Sequence, residues 1–212
     1  MSQLFHIHPE HPQQRLIRQA AQIVRDGGLI ALPTDAAYSL AGHINDSDLI
    51  TRIRRIRGVD EGHQFTLMCR DLSEFSTYAR VNNSVFRLLK AATPGPYTFV
   101  LEGTRELPRR VLHHKRKTIG LRMPDHAVVQ ALLAELGEPI LCSTFIPSGE
   151  DYPLADADEI VARFGKQLEL VIDSGACGLE VTTAVDLTGD EAVVLREGKG
   201  SLAVLGLVSA QA

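Results

Sequence analysis

Five apolar runs in this chain stop short at a hydroxyl, a charge or a proline: IALPTD at 30–35, TIGLRMP at 118–124, LCST at 141–144, TTAVD at 182–186 and VVLREG at 193–198. Such runs suit buried strands and are far too short to span a bilayer. Between strand-like runs lie segments whose apolar residues recur every three or four positions, the mark of an amphipathic helix. Strands separated by helices imply an α/β or α+β domain, and a strand-rich final third implies a mixed sheet rather than a purely parallel one. Ligands of such sheets gather outside strand ends, so the five endings are candidates to converge on one cleft. Taken singly, each is ordinary turn chemistry.

The spacing predicts a helix between Pro12 and Asp26 that stops at Gly27-Gly28, then a strand over Leu29 to Leu32. A second helix is expected from Asp46 to Arg57, capped by Asn45 or Asp46, with Leu49, Ile50, Ile53 and Ile56 facing inward. FTLMC reads as a strand, DLSEFSTYA and NSVFRLLKAA as two helices, and YTFVLEG and TIGLRMP as strands. DHAVVQALLAELG is a helix expected to be capped by Asp125 and closed by Gly137, followed by the strand PILCS and the helix DADEIVARFG. LELVIDSG, TTAVDL and AVVLREG complete the strands, and the terminal AVLGLVSAQA is either an edge strand or a frayed end. No repeat or linker divides the 212 residues, so a single domain is expected.

The net charge of −4 gives no global reason to expect a nucleic-acid partner, yet basic residues crowd into two places. Arg52, Arg54, Arg55 and Arg57 end one helix, and Arg105, Arg109, Arg110, Lys115, Arg116 and Lys117 fill TRELPRRVLHHKRKT. A solvated surface is the ordinary reading, and an anion site the functional one. The N-terminus lacks a basic region followed by an apolar core, which gives an expected cytoplasmic location and no membrane partner. Cys69, Cys142 and Cys177 lack CxxC spacing and read as buried thiols. His6, His8, Glu10 and His11, like His113 and His114, have no partner cluster in sequence and read as surface or strand-entry residues rather than metal ligands.

Familiar nucleotide and hydrolase signatures are missing. REGKGS lacks Walker spacing, GLIAL is not followed by GxGxxG, and no GxSxG elbow surrounds Ser143. In ALPTDAAYSLAG, Pro33 ends a strand and is followed by a hydroxyl, a carboxylate and small residues, with Asp35 as a turn or helix-start acceptor.

In their order along the chain, LPTDAAYSLAG, IRRIRG, FTLMCRDLSEFSTYA, TPGPYTFVL, KRKTIGLRMPDH, TTAVDLT and VVLREG resemble the motifs of the YrdC/YciO family, which contains the threonylcarbamoyl-AMP synthases. FTLMCRDLSEFSTYA and KRKTIGLRMP resemble the YciO branch more closely. The resemblance implies a YrdC-like domain over 1–212, with a core of about 12–206: a twisted, mixed, open sheet with flanking helices and a concave basic cavity. It implies ATP, L-threonine and bicarbonate as substrates, threonylcarbamoyl-AMP and pyrophosphate as products for modification of tRNA adenosine 37, and Mg2+ carried on the phosphates.

Carried over by motif, Thr34, Arg122 and Thr182 form the threonine subsite, with Arg122 on the carboxylate. Arg57, Lys115, Arg116, Lys117, Thr118, Ser143 and Arg196 form the nucleotide and phosphate side, and no residue is assigned as acid or base. Three positions depart from the synthase motifs: Arg57 stands where they carry Lys, Val59 where they carry Arg, and Phe145 where they carry Asn, the last two losing a polar group. Each lost charge-assisted contact weakens nucleotide binding by roughly 1.5 to 3 kcal/mol unless compensated, for which Arg54, Arg55, His63 and Lys117 are candidates. The expected activity is therefore weak or diverged. The alternatives are a double-stranded RNA or tRNA binder without turnover and a small-ligand sensor without turnover. An aromatic content of 5% and no tryptophan argue against base stacking but leave phosphate-led recognition open.

Overall fold

A computed structural model describes residues 2–208. In chain order the strands are β1 (Gln3–His6), β2 (Ile30–Leu32), β3 (Ser39–His43), β4 (Thr66–Met68), β5 (Tyr97–Glu102), β6 (Thr118–Arg122), β7 (Ile140–Thr144), β8 (Leu170–Asp173), β9 (Thr183–Asp186) and β10 (Val193–Arg196). The helices are α1 (Gln14–Arg25), α2 (Leu49–Arg57), α3 (Leu72–Tyr78), α4 (Asn83–Ala92), α5 (Ala127–Leu136) and α6 (Ala157–Phe164). The strands form one mixed sheet in the order β1-β8-β2-β3-β7-β4-β6-β5-β9-β10.

Strand alternation divides the core between the two faces. Along β2, Ala31 packs on one side while Ile30 and Leu32 pack on the other; Leu141 of β7 and Val171 of β8 split from their neighbours in the same way. One face buries Ile53, Phe75, Leu89, Phe145 and Ile160, drawn from four helices and the loop after β7. The other buries Ile17, Ala20, Ala21 and Val24 of α1 against Val128, Val129, Leu132 and Leu133 of α5.

The α1–α5 layer covers only part of its face. Register places Ser39 opposite Thr144, Thr66 beside Cys142 and Gly120, and Thr98 beside Ala184. These small and hydroxyl side chains share a face with Met68 and Ile140, yet they line an open cleft instead of meeting a helix. Gly120 keeps its floor low: a Cβ there would stand 2.5 Å from Thr66 Oγ1.

Several local expectations change. β1 pairs in parallel with β8, and β3 is a central strand between β2 and β7 that the periodicity of SLAGH does not reveal. α2 begins at Leu49 rather than Asp46, because the Asp46 carboxylate accepts the Asp48 N–H (2.9 Å) and closes a turn before the helix. Asp125 is not the cap of α5; His126 holds that position, and the Asp125 N–H donates to Asp35 (2.9 Å). Leu202–Leu205 forms one turn of 3-10 helix where an edge strand was an alternative, and the rest of that expectation, 209–212, lies outside the described residues. All three cysteines are free, with Cys69 and Cys142 buried. His6 faces Asp173 at 2.9 Å, and among the described residues no group of three or more His, Cys, Asp or Glu is placed to hold a metal ion.

Candidate functional site

Seven strands and the end of α2 contribute to a cleft of about 490 Å³, a size suited to a small-molecule ligand. Its walls hold three guanidiniums, Arg57, Arg122 and Arg196, together with His63, Gln64 and the hydroxyls of Ser39, Thr66, Thr98, Ser143, Thr144 and Thr182. Among the described residues no carboxylate lines it.

Arg122 ends β6 and is buried. Its Nη2 donates to Asp35 Oδ1 (2.5 Å) and lies 3.4 Å from the Thr34 hydroxyl, and its Nε is buried without a hydrogen-bond acceptor among the described residues. Asp35 turns its other oxygen to the Asp125 N–H and so ties the turn after β2 to the start of α5. A buried N–H left without an acceptor costs about 1 to 3 kcal/mol, more on a cation.

Arg196 ends β10, where the register slips against β9. Its Nε and Nη2 both reach the Thr182 carbonyl (3.0 and 2.9 Å), and Nη2 also reaches the Thr182 hydroxyl (3.1 Å), which lies 2.7 Å from that of Thr98. Desolvation, followed by the nearby Arg122 charge, lowers the pKa of Arg196.

On the third wall, α2 is closed by Gly58 at φ +64, a conformation glycine adopts without strain, and the loop that follows returns His63 to the cleft. A Cβ on Gly58 would also strike the Ser148 hydroxyl at 2.2 Å. Arg57 donates through Nη1 to Ser143 Oγ (2.7 Å) and through Nε to the Ile146 carbonyl (3.4 Å). Burial and then Arg196 lower its pKa to about 10, which still leaves it charged at neutral pH. Burial, then Arg57 and Arg54, bring His63 down to about 4, so the ring is neutral under ordinary conditions.

Of the residues singled out from sequence, Arg57, Arg122, Ser143, Thr182 and Arg196 meet in this cleft. Thr34 is not on its wall: the Thr34 hydroxyl donates to the Ala37 carbonyl (2.7 Å), accepts from the Ala36 N–H (3.1 Å), and shapes the turn that carries Asp35. Thr118 is also off the wall, where its hydroxyl donates to Gln64 Oε1 (2.7 Å) and orients that cleft residue. Lys115, Arg116 and Lys117 are exposed on a turn outside the lining. There Lys117 Nζ donates to the His114 carbonyl (2.7 Å) and Arg116 lies 3.7 Å from Asp186. Val59 and Phe145 do not reach the cleft either; Phe145 is fully buried on the opposite face, edge-on to Phe164 with ring centres 5.1 Å apart.

A sequence model of the Sua5/YciO/YrdC family, described as "Telomere recombination", matches residues 22–198. The chain belongs to this family. It is 54% identical over 202 residues to the uncharacterized protein YciO of Escherichia coli (strain K12), covering 95% of this chain and 98% of that one. A crystal structure of E. coli YciO superimposes with a TM-score of 0.94, covering 97% of this chain and 100% of the other, so the likeness to the YciO branch and the mixed open sheet are both borne out. More distant is the threonylcarbamoyl-AMP synthase of Pyrococcus abyssi, 29% identical over 191 residues, 89% of this chain and 56% of that one. The crystal structure of P. abyssi Sua5 complexed with L-threonine aligns with a TM-score of 0.85 at 26% identity, covering 93% of this chain and 58% of the other. Among the described residues, no helix is long and apolar enough to cross a membrane.

Proposed function

We propose that this member of the Sua5/YciO/YrdC family binds L-threonine, bicarbonate and ATP in the cleft and forms threonylcarbamoyl-AMP and pyrophosphate, at a rate diverged from that of the synthases. The observation that carries this reading is the gathering of three guanidiniums on one cleft of a protein whose net charge is −4. Arg196 is repelled by Arg122, and Arg57 by Arg196, so anionic ligands relieve a repulsion built into the fold.

Arg122 is the group for the amino-acid carboxylate, with the Thr182 hydroxyl on the same cleft beside it. Arg57 and Ser143 are the groups for phosphate oxygens. In the proposed reaction the threonine amine first bonds to the carbon of bicarbonate as one C–O bond breaks and water leaves, giving a carbamate. A carbamate oxygen then bonds to the α-phosphorus of ATP as the bond to the bridging oxygen breaks and pyrophosphate leaves. The chain contributes by holding two anions together and offsetting charge as it develops on phosphate. The lining, rich in N–H and O–H donors and free of carboxylates, fits phosphate oxygens better than a bare cation, so magnesium would enter on the triphosphate.

Pyrophosphate release from ATP and bicarbonate, measured with each amino acid in turn, tests the reading. Release that requires threonine and falls at least 100-fold in Arg122→Ala is expected, since two lost charge-assisted contacts are worth about 3 to 6 kcal/mol. No amino-acid-dependent release at any enzyme concentration would overturn it. The exposed turn with Lys115, Arg116 and Lys117 supports a second reading, binding of double-stranded RNA or tRNA through phosphates. Affinity for duplex RNA that falls steeply with salt, and falls further when all three residues are replaced by alanine, is its signature.

A further inference from the structure

Within the cleft, one hydrogen-bonded group joins a residue that the sequence motifs assign no role to two that they do. His63 Nε2 lies 2.8 Å from Ser143 Oγ and 3.1 Å from Arg57 Nη1, and the same Nη1 lies 2.7 Å from Ser143 Oγ. Donor and acceptor roles follow from chemistry. A guanidinium only donates, so Ser143 Oγ accepts from Arg57 and gives its own proton to His63 Nε2, which must carry no hydrogen. Nε2 is then the terminal acceptor of the group. The ring is held for this by Phe65, edge-on with centres 5.0 Å apart, and by the loop closed through the His63 N–H and the Asp60 carbonyl (3.2 Å).

A histidine beside a serine also suggests an activated nucleophile. The surroundings argue against it: a ring whose pKa is about 4 has little drive to take a hydroxyl proton at neutral pH. The Arg57 N–H, moreover, occupies the Ser143 oxygen from the other side. What remains is orientation. We propose that His63 is a positioning residue for the phosphates of a nucleoside triphosphate, its Nε2 fixing the Ser143 hydroxyl and the Arg57 guanidinium in the one arrangement that presents the cation to the cleft. This rests on the synthase-like reading of the cleft and adds to it a residue that acts through Arg57 and Ser143.

Calorimetric titration of the full chain with ATP and magnesium, alongside steady-state kinetics of pyrophosphate release, tests the role with His63→Ala and His63→Gln. A glutamine carbonyl can reach the position of Nε2; an alanine leaves both donors without their acceptor. The expected result is about a 10-fold weaker ATP affinity in His63→Ala, matched by a rise in KM for ATP with KM for threonine unchanged, and recovery to within about 3-fold in His63→Gln. Should the alanine variant fail to fold, His63→Asn, whose amide ends one bond short, takes its place as the variant that cannot reach. ATP affinity in His63→Ala equal to wild type, or no recovery in His63→Gln, would overturn the positioning role alone. Failure of wild type itself to bind ATP would overturn the nucleotide reading of the cleft and this proposal with it.

Discussion

Arg122 and Arg57 line the same cleft but are held by opposite means. Arg122 is locked to a carboxylate, the side chains of the pair being only 5% and 9% exposed. Arg57 leans on a hydroxyl, a carbonyl and a neutral imidazole, and its charge is pushed toward release by burial and by Arg196. A buried pair is costly to break because one charge is left without its partner, whereas a cation among neutral dipoles leaves no counter-charge behind when removed. The two walls therefore divide labour: the Arg122 wall is bound up with folding, and the Arg57 wall stays poised for an anion.

The strongest way to break this contrast is Arg122→Ala. It strands Asp35, which keeps only the Asp125 N–H, and should cost about 3 to 5 kcal/mol in urea unfolding at unchanged m. Replacing both members, Arg122→Leu with Asp35→Asn, should recover more than half of that loss. If the double variant is as unstable as the single one, the pair contributes packing and not charge balance.

Arg57→Ala should do the reverse. Stability should move by less than about 1 kcal/mol, since a repelled cation is lost and the groups left behind are neutral. ATP affinity should fall by about 10- to 100-fold, the equivalent of one charge-assisted phosphate contact. A destabilisation as large as that of Arg122→Ala would erase the distinction between the walls.

The neutral wall also carries a pH signature of about 2 kcal/mol. His63 titrates at about 4 in the folded protein against 6.5 ordinarily, so the unfolded chain takes up the proton first. Its contribution is complete above pH 6.5 and is lost as pH falls toward 4; the full shift is discounted here because the ring is only partly buried. Thermal melts between pH 7 and 4.5 should therefore fall less steeply for His63→Gln than for wild type. Parallel curves would show that the ring is better solvated than its surroundings imply.

The contrast between walls was only partly legible in the sequence. Strand endings such as LCST and TIGLR announced Ser143 and Arg122, because an apolar run that stops at a polar residue is a local signal. Asp35 accepts the N–H of Asp125 just before α5, as a carboxylate at a turn or helix start should; its pairing with Arg122, 87 positions away, has no local trace. β3 was hidden because Ser, Ala and Gly are weak strand formers, and it is held by pairing on both sides rather than by propensity. Val59 and Phe145 look like losses at the site when set against the synthase motifs, yet neither lines the cleft, and Phe145 is buried in the core. His63 gave a weak signal, one residue on a Gly-rich loop whose return to the sheet only the fold determines.

The smallest effect probes whether the basic turn belongs to the Arg57 wall at all. Lys117 holds φ at +59, which costs a residue with a Cβ about 1 to 2 kcal/mol, while a glycine there would give back part of the gain as extra freedom in the unfolded chain. The backbone is fixed by main-chain bonds that do not involve the side chain, the Lys117 carbonyl accepting the Gly103 N–H (3.0 Å) and the Lys117 N–H closing the turn on the His113 carbonyl (2.9 Å), so Lys117→Gly should keep its shape. A stability gain of about 0.5 kcal/mol is expected in chemical unfolding, with ATP affinity unchanged, since Nζ is directed to the His114 carbonyl on an exposed turn. Unchanged ATP affinity together with weakened duplex-RNA binding would assign the turn to a surface of its own. Weakened ATP binding would instead place Lys117 within reach of the phosphates, and the poised wall would extend from Arg57 across the mouth of the cleft to the turn.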